Sequence, residues 1–282
     1  MYCGEALGLI ISAFSFMMGA CIASFLNVVI WRMPRGESIV SPPSHCPKCG
    51  AAIRWWQNLP ILSWLALRGR CAKCRAPISP RYIIVEMLGG LLFLFAFWRF
   101  GAFAPFIWVW LSLMIVGSFI DFDHQLLPDF VTVGGMVYGL LLSLVSWFAS
   151  MHMPVPALPL YPALQPFHAP PLNSLAGLAI GFSLLWLVRF LGTKVFKREA
   201  MGMGDVFLMG AVGALFGPLA VLVTLILSSV FGSLVGVALI LAAKAKPGRF
   251  VVIPYGPYIC LGCLAWMFHG PDMVVWYLSL LN

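Results

Sequence analysis

The chain has 282 residues, 62% of them hydrophobic and only 9% charged, with a formal net charge of +8. A soluble globule of this length needs far more polar surface, so the composition excludes one and points to apolar blocks embedded in a bilayer. The same charge in a soluble protein would suggest nucleic acid; here Lys and Arg are loop charges that set membrane topology, and no nucleic-acid partner is expected.

Residues 6–30 are the first apolar run. It lacks a basic leading region and an Ala-x-Ala cleavage site, so it reads as a retained span rather than a removed signal peptide. Residues 32–81 form a polar, basic insert with four of the eight cysteines. Further spans are expected at 82–98, 104–120, 130–148 and 172–191. Between the last two, residues 150–171 are rich in proline, which removes backbone donors and stops helices, so this stretch reads as an irregular loop. A basic hairpin with Lys194, Lys197 and Arg198 follows. Then come 206–217 and 219–243, separated by Pro218, a basic stretch at 244–249, and a last span at 251–268.

Nine of the seventeen Lys and Arg residues lie between Arg32 and Arg81. Cytoplasmic loops are enriched in Lys and Arg, and alternating the spans from an outside N-terminus puts all three basic stretches inside. The segment 206–217 would make a helix of roughly 18 Å, short of the ~30 Å hydrocarbon core. If it did not cross, 244–249 would fall outside, against the charge rule. The expectation is an all-α polytopic membrane protein with about eight transmembrane helices. Its parts are a first helix (1–31), a small cytoplasmic zinc-ribbon-like insert (32–81) and a transmembrane core (82–282).

Two carboxylates stand at span ends. Asp121 follows the third apolar run, in Ile120-Asp121-Phe122-Asp123-His124. Asp205 closes Gly202-Met203-Gly204-Asp205, ahead of the sixth. The topology puts both at one face of the bilayer. Charges at membrane depth are costly and face the protein interior or a water-filled cavity. Two carboxylates sharing a site hold one proton between them, the state an aspartic peptidase uses: one activates water and the other polarises the scissile carbonyl. A helix-capping or interfacial role is the plainer alternative for each, above all for Asp205. Asp123, His124 and Asp129 read as solvated loop residues, with Asp129 able to cap the fourth span. Glu86 either pairs with Arg81 or lines the site. Paired membrane carboxylates also suit a proton-coupled transporter, and the insert suits a membrane assembly adaptor.

Cys46-Pro47-Lys48-Cys49 and Cys71-Ala72-Lys73-Cys74 are two knuckles 21 residues apart. Four thiolates at such spacing fit a closed, structural zinc site, and an inside location argues against disulfides. Trp55, Trp56 and Trp64, between the knuckles, read as packing residues or interfacial anchors. Cys260 and Cys263 read as small apolar residues on one helix face, and Cys3 and Cys21 carry no evident role.

Over nearly its whole length the chain resembles the bacterial type IV prepilin peptidases, the leader peptidase/N-methyltransferases. The resemblance rests on Ser24-Phe25-Leu26-Asn27-Val28-Val29 with Arg32 and Pro34, the double knuckle with Asn58-Leu59-Pro60, and Arg81-Tyr82 with Glu86. It continues through Ile120-Asp121, Leu127-Pro128-Asp129, Gly202-Met203-Gly204-Asp205 and Pro254-Tyr255-Gly256-Pro257-Tyr258. It implies a multi-pass inner-membrane aspartic endopeptidase that removes the basic leader from prepilins or pseudopilins on the cytoplasmic side. Methylation of the new N-terminus with S-adenosylmethionine is implied as well. The catalytic pair falls on Asp121 and Asp205, and the zinc ligands on Cys46, Cys49, Cys71 and Cys74. No motif marks the methyl-donor site, which is expected around the insert. The basic leader is expected to meet Glu86, Asp123, Asp129 and anionic lipid. The sequence departs from the family pattern at Ala23, where glycine is usual, at Ile83, where proline is common, and at Phe207, where lysine is usual.

Overall fold

The computed structural model describes residues 2–152, 170–197, 199, 201–242 and 253–280. The Cys3 side chain, Arg198, the basic stretch 244–249 and all but the two ends of the proline-rich stretch lie outside the described residues. Among the described residues no strand forms, and the chain runs α1 (Tyr2–Arg32), α2 (Leu62–Ala66), α3 (Arg81–Phe100), α4 (Ala104–His124), α5 (Asp129–His152), α6 (Pro170–Phe196), α7 (Met203–Phe216), α8 (Pro218–Ala242) and α9 (Gly256–Ser279). Six stretches are long and apolar enough to cross a membrane by length and composition, one of them α3 and α4 run together, and α7 is a shorter apolar helix. All eight expected spans are thus helices, in an all-α polytopic membrane protein.

Several helices run past their expected bounds, and α6 continues to Phe196, so that Lys194 of the expected basic hairpin sits in its last turn. The third span continues one turn beyond 120, so Asp121, Asp123 and His124 sit on α4 rather than in a loop. What stops α4 is Gln125, in the left-handed region at φ 52°, and Pro128 beyond it. The last span begins at Gly256 and runs through Pro271 to Ser279. Tyr255 is its N-cap and Pro257 stands in its first turn, where a missing N–H costs nothing.

The chain packs as two compact units, Met1–Val116 and Gly117–Asn282. In the first, α1 and α3 approach through small residues, as membrane helices do. A Cβ built on Gly89 would lie 2.5 Å from that of Ala23, and one on Gly90 would lie 2.7 Å from the Phe16 ring. Ala23 is fully buried at this crossing. Asn27 donates to the Tyr82 carbonyl at 3.2 Å, which ties the ends of the two helices. Trp108 of α4 stacks on Phe93 of α3 with centroids 5.0 Å apart and donates to its carbonyl at 3.0 Å.

In the second unit α7 is the core. From Asp205 to Phe216 every residue but Phe207 is buried, as befits a helix that is apolar all round. Its neighbours α5, α6, α8 and α9 surround it. Close approach again depends on missing side chains. A Cβ on Gly139 of α5 would lie 2.8 Å from the Ala214 backbone, and one on Gly177 of α6 would run into Gly213 of α7. Phe207, where the family pattern carries lysine, rests near Phe182 of α6 with ring centroids 5.6 Å apart.

Candidate active site and metal centre

Both candidate aspartates fall in the second unit. Asp121 lies in the last turn of α4 and is 5% exposed. Its Oδ2 accepts a hydrogen bond of 3.0 Å from the backbone N–H of Gly256. That N–H is free because it belongs to the first turn of α9, whose leading N–H groups have no helical partners. Only glycine leaves room there, since a Cβ on Gly256 would sit 2.7 Å from the same Oδ2. The start of α9 is itself tethered: the Tyr255 hydroxyl lies 2.7 Å from Ser228 Oγ of α8.

Asp205 is the third residue of α7 and is 7% exposed. Gly202 is the N-cap, and no side chain caps this helix. Asp205 therefore does not serve as the N-cap considered from sequence. A backbone hydrogen bond from Gly202 reaches its carboxylate, and Asp121 lies within electrostatic range of it. Its Oδ1 is buried and has no hydrogen-bond partner among the described residues. Such an orphan is costly unless something transient fills the place.

Leu127, in the turn between α4 and α5, packs against two glycines of the site. Its side chain occupies the space that Cβ atoms on Gly204 and Gly256 would take, at 2.7 and 3.2 Å. The Cys260 thiol shares a hydrogen bond with Ser118 and lies within electrostatic range of both carboxylates. Asp123, His124 and Asp129 are exposed, as expected. The Gly256 N–H, the Leu127 packing and Cys260 have no signature in local sequence, because their roles depend on elements distant in the chain. The Leu127-Pro128-Asp129 and Pro254–Tyr258 motifs are the visible hints.

In the first unit the four cysteines converge, with one sulfur from each lying within 4.8 Å of all the others. Cys46 and Cys74 sulfurs are 3.8 Å apart, about the ~3.8 Å edge of a tetrahedron with ~2.3 Å zinc–sulfur bonds. The two knuckles repeat one fold. Cys46 N–H donates to Ala51 and Cys71 N–H to Ala76, at 2.9 and 2.8 Å, while Gly50 and Arg75 donate back to Cys46 and Cys71. Gly50 and Arg75 take the same left-handed turn position, at φ 67° and 59°. Backbone N–H groups of Cys49 and Lys48 pull the Cys46 thiol below its ordinary range. Those of Cys74 and Lys73 lower Cys71 to about 6. At Cys74 the Ala76 N–H pulls the same way, but desolvation and the neighbouring thiols push it up to about 11. A cation among the four sulfurs reverses that crowding and favours four thiolates. The donor set therefore fits zinc.

The insert is fastened to α3 through Glu86, which is 8% exposed. Glu86 accepts from the Ile61 N–H at 2.7 Å and shares a hydrogen bond with Ser24. It is thus a buried tether, poorly placed for the leader contact expected of it. Trp64 packs on Gly69, whereas Trp55 and Trp56 are exposed, so packing and surface roles divide among the three tryptophans. Between the insert and one face of α1 lies a cavity of about 380 Å³, lined among others by Ser24, Phe25, Val28, Arg32, Ser44 and Asn58.

Comparison with known proteins agrees with this architecture. Residues 17–100 match the bacterial peptidase A24 N-terminal domain, and residues 108–237 match the type IV leader peptidase family. A prepilin leader peptidase/N-methyltransferase of Myxococcus xanthus is 39% identical over 275 residues, covering 95% of this chain and 76% of the relative. One from Stutzerimonas stutzeri is 33% identical, covering 94% and 93%. The type 4 prepilin-like proteins leader peptide-processing enzyme of Escherichia coli O78:H11 is 36% identical, covering 88% and 90%. No solved structure matches the chain. With identity at this level along almost the whole chain, and both halves matched in order, the protein belongs to the type IV leader peptidase family.

Proposed function

We propose that the protein is an aspartic endopeptidase of the bacterial inner membrane that removes the basic leader from prepilins or pseudopilins on the cytoplasmic side. We propose that it then methylates the new N-terminus. The observation that carries the peptidase reading is the meeting of Asp121 and Asp205 in one buried site, with Asp205 Oδ1 having no hydrogen-bond partner among the described residues.

Asp121, held by the N–H at the head of α9, is suited to remain ionised, and Asp205 to carry the shared proton on its orphaned oxygen. Asp121 takes a proton from water as the water oxygen attacks the scissile carbonyl carbon. Asp205 donates to the carbonyl oxygen and stabilises the tetrahedral intermediate. Collapse of the intermediate breaks the C–N bond: the leaving amine takes the proton held by Asp121, and a hydroxyl of the intermediate returns its proton to Asp205 as the new carboxyl group forms. The chemistry needs no covalent enzyme intermediate. The four cysteines hold zinc as a structural staple of the insert. S-Adenosylmethionine, when bound, would supply the methyl group that the new N-terminal amine takes up.

The test mixes the purified, membrane-reconstituted protein with a prepilin, with and without S-adenosylmethionine, and reads product masses. Leader removal in both samples, with a methyl-sized gain only in the second, is the expected result. An intact precursor in both would end the peptidase reading, and would leave the transporter and adaptor alternatives standing.

A further inference from the structure

We infer that the cavity of the first unit is the methyl-donor site, with the donor's carboxylate on Arg32 and its sulfonium toward Phe25 and Ser24. This rests on the methyltransferase half of the proposed function. The cavity, about 380 Å³, falls in the range of small-molecule sites.

Arg32 defines one pole. It is 8% exposed, and its guanidinium donates to two neutral carbonyls, Ser38 O at 2.9 Å and Pro42 O at 2.8 Å. None of the ion pairs found among the described residues involves it, and no carboxylate lines the cavity. A buried cation with only neutral partners is costly. A guanidinium carries five donors in a planar fork that matches a carboxylate. The pole thus calls for an anionic group on the ligand.

Ser24 and Phe25 define the other pole, on the same face of α1. Seven to eight residues of helix separate them from Arg32, roughly 10–12 Å along the axis, part of which the arginine side chain itself covers. Ser24 is hydrogen bonded to Glu86, so a carboxylate stands directly behind the cavity wall. Phe25 is half exposed, and an aromatic face attracts a ligand cation. Asn58 and Ser44 add hydrogen-bonding groups from the insert. A positive pole, an electron-rich pole and polar walls between them match a molecule with a carboxylate at one end, a sulfonium beyond it and a nucleoside to be hydrogen bonded. S-Adenosylmethionine is such a molecule. The pocket needs both α1 and the insert, which gives the four-cysteine staple a reason to be rigid.

The experiment measures binding of S-adenosylmethionine and of its decarboxylated analogue to the full-length protein in detergent by titration calorimetry, with fold checked by thermal melting. The analogue keeps the sulfonium and loses the carboxylate. Wild type is expected to bind the parent at least about 10-fold more tightly, the scale of one charge-assisted contact. Arg32→Met is expected to bind the two alike, and Arg32→Lys to keep part of the discrimination. Val28→Trp, which fills the cavity, is expected to weaken both ligands. If Arg32→Met fails to melt cooperatively, Arg32→Lys and Val28→Trp carry the test. An unchanged preference in the Arg32 variants that fold, a wild type that does not discriminate, or equal binding to wild type by Val28→Trp would each overturn the assignment. Prepilin processing by wild type is read in parallel. Donor discrimination without cleavage counts against the peptidase and keeps this site. Cleavage and methylation with binding insensitive to Arg32 keeps the activity and removes the site.

Discussion

At the scale of single residues, the two carboxylates differ in their surroundings more than in their sequence settings. Asp121 is answered by a backbone donor from α9, while one oxygen of Asp205 has no partner among the described residues. Either Asp121→Asn or Asp205→Asn, nearly isosteric, is expected to lower prepilin cleavage at least about 100-fold, the scale of a lost general acid or base, with melting unchanged. Full cleavage by either variant would remove that residue from the chemistry. Gly256→Ala tests the seat of Asp121. Its added carbon would fall 2.7 Å from Oδ2, and displacing a reacting group by a fraction of an ångström is expected to cost ~10-fold or more in cleavage. Alanine suits a helix's first turn, so stability is expected to hold; cleavage at the wild-type rate would mean the N–H contact is incidental. That Asp121 and Asp205 were candidates was legible in sequence, because charges are rare beside apolar runs. That Gly256 positions one of them was not, because its N–H is a property of where α9 starts.

At the scale of elements, the knuckles and α7 make opposite points. The knuckles read from sequence because ligand spacing is local: two Cys-x-x-Cys turns brought together offer four sulfurs to one tetrahedral metal ion. Cys46→Ser or Cys71→Ser in the full protein is expected to drop bound zinc from about one per chain to well below that, measured by elemental mass spectrometry, and chelation is expected to lower the melting temperature. Unchanged metal content in both variants would contradict the assignment. In α7, composition says only that the helix is apolar. Its burial on all sides follows from the glycines of its neighbours. Gly177→Val puts atoms against the Gly213 backbone and is expected to destabilise the protein by about 1–3 kcal/mol, as overpacking does, measured by thermal melting in detergent. A melting temperature equal to wild type would show the α6–α7 contact to be looser than described.

At the scale of the whole molecule, orientation follows from charge. Residues 32–81 and the later basic stretches are expected on the cytoplasmic side, with the N-terminus outside. Labelling of single engineered cysteines by a membrane-impermeant reagent in intact cells is expected to spare the insert and the basic end of α6 at Lys194. Labelling of the insert from outside would invert the topology and move the proposed chemistry to the wrong compartment. The helix α7 spans about 21 Å at 1.5 Å per residue, short of the bilayer, and begins at the level of Asp205.

The span count, the helical class, the four-cysteine cluster and the two candidate acids were determined by sequence alone, because hydropathy, ligand spacing and isolated charge are local quantities that survive without coordinates. Where α4 and α9 begin and end, which oxygen of Asp205 is orphaned, and how α1 and the insert enclose a cavity around Arg32 were decided by tertiary structure. Each depends on a neighbour far away in the chain, and a backbone N–H or an empty space leaves no letter in a sequence.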